Sequence, residues 1–162
     1  MLGPSDKILV ATDFSADGAK ALACACDLAQ RFGVETLVLH VFRREGPGAA
    51  GGPDSPLPRP LEACLAALRD RGLLARGLVR RGDPAAEILD VAARENASLI
   101  VLGAHGEAST RGVLLGSVAD RVMRRATRPL LVVRRDRSAD GAEQPGRGGG
   151  GEAEDSESQA GA

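Results

Sequence analysis

The chain has 162 residues, with 21 Lys and Arg against 22 Asp and Glu: enough for one domain with a proper core, too short for two of ordinary size. The net charge of −1 conceals a split, because residues 136–162 carry 7 acidic and 2 basic side chains and residues 1–135 carry 15 acidic and 19 basic. So mild a basic excess, with three Phe and no Tyr or Trp to stack on bases, argues against nucleic-acid binding.

The three cysteines, Cys24, Cys26 and Cys64, form no Cys-x-x-Cys pair and fall in helical patterns, as small buried hydrophobes do in a reducing compartment. Two His and no ligand spacing leave little for a metal site. Met1 to Lys7 lacks the charged start and long apolar stretch of a secretory signal, and no apolar run reaches the length of a membrane span. The expectation is a soluble, cytoplasmic protein without membrane contact.

Lys7 to Thr12 contains the short apolar run Ile8-Leu9-Val10-Ala11, typical of a strand buried on both faces. After Asp13 and Phe14, Ser15 is placed to cap a helix whose apolar positions Ala19, Leu22, Cys26, Ala29 and Phe32 recur every three or four residues, with Gly33 placed to end it. Thr36 to Phe42 reads as a second strand, with His40 as a hydrogen-bonded core or edge residue. Residues 43–59, rich in Gly and Pro, read as a long disordered loop. A short helix resumes at Pro60 and stops near Gly72. Leu73 to Arg80 is a third strand, assigned to a sheet edge by Arg76 and Arg80. Asp83-Pro84 is an N-cap followed by a first-turn proline, opening a helix buried through Ile88, Val91 and Ala92.

Next comes the most informative stretch. Leu99 to Leu102 is a strand, Gly103-Ala104-His105-Gly106 follows it, and nine residues later Gly116-Ser117 opens a helix from Val118 to Ala126. Ser117 with Asp120 reads as a capping box. Glycines let backbone approach another group closely, and the free amides of a helix start favour an anion, so a phosphate fits this loop. With 14 glycines in residues 1–135, this spacing arises by chance roughly once in a hundred such chains. Arg111 reads equally as a phosphate contact or a solvated side chain. His105 has no orienting partner nearby in sequence and reads as a loop residue placed by its backbone. Leu130 to Val133 is a fifth strand after Arg128-Pro129, and residues 136–162 read as a disordered acidic, Gly-rich tail.

Five strands alternating with four helices imply an α/β fold with an open, mostly parallel sheet covered on both faces, and a ligand crevice at the carboxyl ends of the strands where the winding reverses. Asp13 and the Gly103–Gly106 loop meet at that crevice if the first and fourth strands are neighbours. Asp13 alternatively braces its own turn.

Val10-Ala11-Thr12-Asp13-Phe14-Ser15, Gly82-Asp83-Pro84, Leu99 to Gly106, Gly116-Ser117-Val118-Ala119 and Arg128-Pro129-Leu130-Leu131-Val132-Val133 resemble, in that order, the universal stress protein family. The glycine spacing is similar to that of its ATP-binding branch. The resemblance spans residues 6–134 and implies five parallel strands in the order 3-2-1-4-5. It also implies a homodimer through the Leu130–Val133 edge strand. It places Asp13 near ribose or adenine and the backbone of Val41 at the adenine edge, with Gly103, His105, Gly106, Gly116, Ser117 and Val118 around ribose and phosphates. ATP with Mg²⁺ riding on its phosphates is the implied ligand. Where the family commonly has aspartate this chain has Ser98, a change expected to affect local capping. No general base is identifiable, so the implied role is regulatory nucleotide binding with little or no turnover. A nucleotide-free dimerisation module and a slow ATP hydrolase are the alternatives.

Overall fold

The computed structural model describes residues 3, 6–43, 57–106 and 114–134. Most of the 43–59 loop, Arg111 and the 136–162 tail lie outside the described residues. The elements are β1 (Lys7–Ala11), α1 (Ala16–Phe32), β2 (Glu35–Phe42), α2 (Arg59–Asp70), β3 (Ala75–Arg81), α3 (Pro84–Arg94), β4 (Leu99–Gly103), α4 (Ser117–Arg125) and β5 (Leu130–Val133). The strands form one parallel sheet in the order β3-β2-β1-β4-β5, as expected.

Alternation along each strand feeds two cores. Ile8 and Val10 of β1, Val38 of β2 and Val101 of β4 pack under α1 and α2. Leu9, Leu37, Leu39, Ile100 and Leu102 pack on the other face against Ile88, Val91 and Ala92 of α3 and Val122 of α4. Burial on both faces is why these strands read as unbroken apolar runs, each Leu or Ile contributing about 1.5–3 kcal/mol. β3 carries its arginines at one edge, where Arg76 pairs with Glu35 and Glu95.

The local signals are met in kind. Ser15 accepts from the Gly18 N–H at 3.2 Å and Gly33 closes α1 with φ 64°, while Asp83 accepts from the Ala86 N–H at 3.0 Å. Ser98 braces the chain by hydrogen bonding Asp6, at the sheet end opposite the strand carboxyl termini. Cys26 is buried, Cys24 and Cys64 are half-buried, and all three are free thiols. Burial pushes the Cys26 and Cys64 thiols up from their ordinary range.

One expectation fails. Ser117 is the first residue of α4 and not its cap; Gly116 occupies the cap position with no side-chain hydrogen bond. Asp120 does not reach back, because Arg124 one turn ahead holds its carboxylate at 2.9 Å. With glycine at the cap position the helix start has no side-chain acceptor.

Candidate functional site

The winding reverses between β1 and β4, whose register sets Ala11 beside Leu102. The β1–α1 turn therefore lies next to the loop after β4. Between them and the starts of α3 and α4 is a cavity of about 810 Å³, within the usual range for a small-molecule site. Asp13, Val41, Gly103, His105, Gly106, Gly116, Ser117 and Val118 all line it. The structure therefore brings these eight residues to one cavity, from the turn after β1, the end of β2, the end of β4 with its following loop, and the start of α4.

The walls differ chemically. The floor is apolar: Leu39, Val41, Leu102 and, from α3, Ile88. On the α4 side stands the uncapped helix start, with the amides of its first turn and the Ser117 hydroxyl. Gly116 ties that start to the loop after β4 by donating its N–H to the Ala104 carbonyl at 2.7 Å. On the α1 side stand Asp13 and His105. Asp13 lines the cavity and also braces its own turn, its Oδ1 accepting from the Ser15 N–H at 3.0 Å. Its neighbours fix it too: Phe14 donates its N–H to Thr12 Oγ1 at 3.0 Å.

His105 has an orienting partner that sequence reading missed. Asp17 Oδ2, on a side chain only 4% exposed, lies 3.0 Å from His105 Nδ1 and 3.1 Å from its backbone N. Ser15 Oγ adds a bond to the His105 carbonyl at 3.3 Å. Asp17 is 88 residues away in sequence, and in the first turn of a helix an acid reads as ordinary complement to the dipole. No local signal distinguishes it.

Two motif glycines serve the protein before any ligand. A Cβ on Gly103 would stand 2.7 Å from the Asp17 carbonyl carbon and 2.8 Å from the Gly18 nitrogen, so this glycine admits the start of α1. A Cβ on Gly106 would stand 2.6 Å from Asp13 Oδ2. Gly116, by contrast, has φ −67° and ψ 157°, angles open to any residue.

Sequence reading also missed Thr12, Gly18, Arg43, Ile88 and Met123 as cavity residues. Beside the cavity Arg121 of α4 forks onto Asp83 at 2.7 and 2.8 Å, joining α4 to the cap of α3. The Arg121 guanidinium, with the Ala86 N–H, holds the Asp83 carboxyl below the usual carboxylate range. Among the described residues no cluster of three or more His, Cys, Asp or Glu is placed to hold a metal ion, and no helix is long and apolar enough to cross a membrane.

A doubly wound sheet with a cavity at its reversal point is the place where open α/β sheets hold small ligands. The chain belongs to the universal stress protein family, whose profile matches residues 4–134. Over 146 residues it is 32% identical to universal stress protein YxiE of Bacillus subtilis, covering 80% of this chain and 99% of that protein. The fold is similar to that of MJ0577 from Methanocaldococcus jannaschii, with TM-score 0.67 and 25% identity over 82% of this chain and 98% of that one. It is also similar to a universal stress protein from Archaeoglobus fulgidus solved in complex with dAMP, with TM-score 0.59 and 26% identity over 80% of this chain and 98% of that one.

Proposed function

We propose that this chain is a cytoplasmic regulatory protein that binds ATP between the end of β1 and the Gly103–Ser117 loop and turns it over slowly or not at all. The observation that carries this reading is the two-sided cavity. Its acceptor side, Asp13, suits the hydroxyl or amino donors of a nucleoside. Its donor side, the amides of Gly116, Ser117 and Val118 with the Ser117 hydroxyl, suits phosphate oxygens. The apolar floor suits a purine, with the Val41 backbone at the base edge. Gly103 and Gly106 let α1 and Asp13 close on the loop, and His105 is held at its wall. The dAMP-bound relative lends support for an adenine nucleotide.

An Mg²⁺ ion that accompanies the ATP would take phosphate oxygens as ligands and ride on the nucleotide. It would neutralise phosphate charge there. For hydrolysis the Asp17–His105 pair is the feature that favours a second reading, because a carboxylate-oriented imidazole is a recurring proton acceptor.

The test is titration of nucleotide-stripped protein with ATP and Mg²⁺, followed by phosphate release. Saturable binding with release at background supports the regulatory reading. Release well above background that Asp17→Asn abolishes, with binding spared, supports the hydrolase. A folded dimer that binds no nucleotide supports a dimerisation module.

A further inference from the structure

His40 is on β2, two residues after Val38 and so on the sheet face turned away from the cavity. Its Nδ1 lies 2.8 Å from the carbonyl oxygen of Thr12. Its ring stacks on Phe14, with centroids 4.6 Å apart and planes at 29°, and stands edge-on to Phe42, also at 4.6 Å. Phe42 is in turn covered by the Arg81 guanidinium, 5.0 Å from its ring centre. Thr12 and Phe14 are the residues immediately before and after Asp13.

We infer that His40 is a positioning residue that holds the Asp13 carboxylate in place for the nucleoside part of the ligand, gripping the β1–α1 turn from behind the sheet. This rests on the nucleotide-binding reading above. Phe14 has φ 65°, a left-handed conformation that a bulky aromatic residue adopts only when its surroundings compel it. The local bond from its N–H to Thr12 Oγ1 is one constraint, and the stack on His40 is the other. If the ring is lost, Phe14 can relax towards negative φ, and rotation there carries Asp13 with it. The hydrogen bond meanwhile fixes the peptide that precedes Asp13.

A carbonyl oxygen only accepts, so Nδ1 must donate; the neutral ring is the Nδ1–H tautomer. The α4 end of the cavity has no part in this grip. The effect of His40 therefore falls on recognition of the nucleoside, which ATP and adenosine share.

The experiment compares native protein with His40→Leu, which removes both contacts, and His40→Asn, whose amide can supply a donor near the place of Nδ1. Titration with ATP and with adenosine is expected to show His40→Leu weakening both by the same factor, about tenfold, the size of one hydrogen bond from the nucleoside to a displaced Asp13. His40→Asn is expected to recover part of the loss, the share carried by the hydrogen bond to Thr12, because its amide does not restore the stack on Phe14. Amide exchange at Ser15, whose N–H is bound to Asp13 Oδ1, is expected to quicken in His40→Leu and to return towards the native rate in His40→Asn. Nitrogen NMR of native His40 is expected to give the Nδ1–H tautomer.

Native affinity in folded His40→Leu, a loss for ATP that adenosine does not share, no recovery in His40→Asn, or the Nε2–H tautomer would overturn the inference. Native protein that binds neither ligand overturns the nucleotide reading instead. In that case Ser15 exchange and the tautomer still decide whether His40 holds the turn.

Discussion

The buried carboxylate of Asp17 meets His105 twice, 3.1 Å from its backbone nitrogen and 3.0 Å from its ring Nδ1. The first turn of α1 and the loop after β4 are thereby one rigid unit, and the ring enters the cavity wall in a fixed orientation. Removing the carboxylate strands a part-buried N–H. Asp17→Ala is expected to destabilise the fold by about 1–3 kcal/mol in urea denaturation, and Asp17→Asn, which keeps an acceptor, by less. Equal stability of Asp17→Ala and native protein would show that the contact contributes nothing.

The same packing sets apart two glycines that look alike in sequence. A methyl group on Gly103 would press on the backbone of α1, which cannot yield; on Gly77 it would meet the end of the Leu65 side chain at 2.7 Å, which can rotate away. Gly103→Ala is expected to cost about 1–3 kcal/mol and Gly77→Ala clearly less. Thermal unfolding of the two variants in parallel checks the order, and a reversed order contradicts it.

The Arg121–Asp83 fork is expected to show in acid. The guanidinium holds the folded-state pKa of Asp83 below its unfolded value, so the unfolded chain binds more protons as the pH falls past about 4. The contribution is therefore complete above about pH 4 and is lost as pH falls through the depressed folded value. In Arg121→Gln the stability gap from native protein should be full near pH 6 and shrink in acid. Both groups are largely exposed, so the gap is small and weakens with salt. A gap that stays constant on acidification would contradict the assignment.

Among the described residues β5 pairs only with β4, and its apolar residues are half-buried. An open apolar edge of that kind favours a second copy pairing with it symmetrically. On that reading Val132→Asp sediments as a monomer while native protein sediments as a dimer. A dimer that survives the substitution would place the interface elsewhere.

The sheet was legible because Ile8 to Ala11, Leu37 to Val41, Leu99 to Leu102 and Leu130 to Val133 are apolar runs that turn signals interrupt. The strand order was not in those runs; it came with the family resemblance, and β1 beside β4 is what brings Asp13 to the glycine loop. The cavity wall was legible where it is local, in Gly103 to Gly106 and Gly116 to Val118. It was illegible where it depends on distant pairing. Asp17 looks like any first-turn acid until β4 lies under α1, and Ser117 looks like a cap until the helix is seen to begin at it, with Gly116 in the cap position. His40 looked like a core histidine, and only the neighbouring turn reveals what its ring holds.

The central claim is most directly tested by calorimetric titration of nucleotide-stripped protein with ATP and Mg²⁺, beside Gly116→Val and Ser117→Ala. The φ and ψ of Gly116 suit any residue but the position is buried, so Gly116→Val, which places bulk at the phosphate end of the cavity, is titrated once circular dichroism shows it folded. Saturable binding by native protein, abolished by Gly116→Val and weakened about tenfold by loss of the Ser117 hydroxyl, is the predicted result. Native protein that is folded and binds no ATP, or a folded Gly116→Val that binds as well as native, would contradict it.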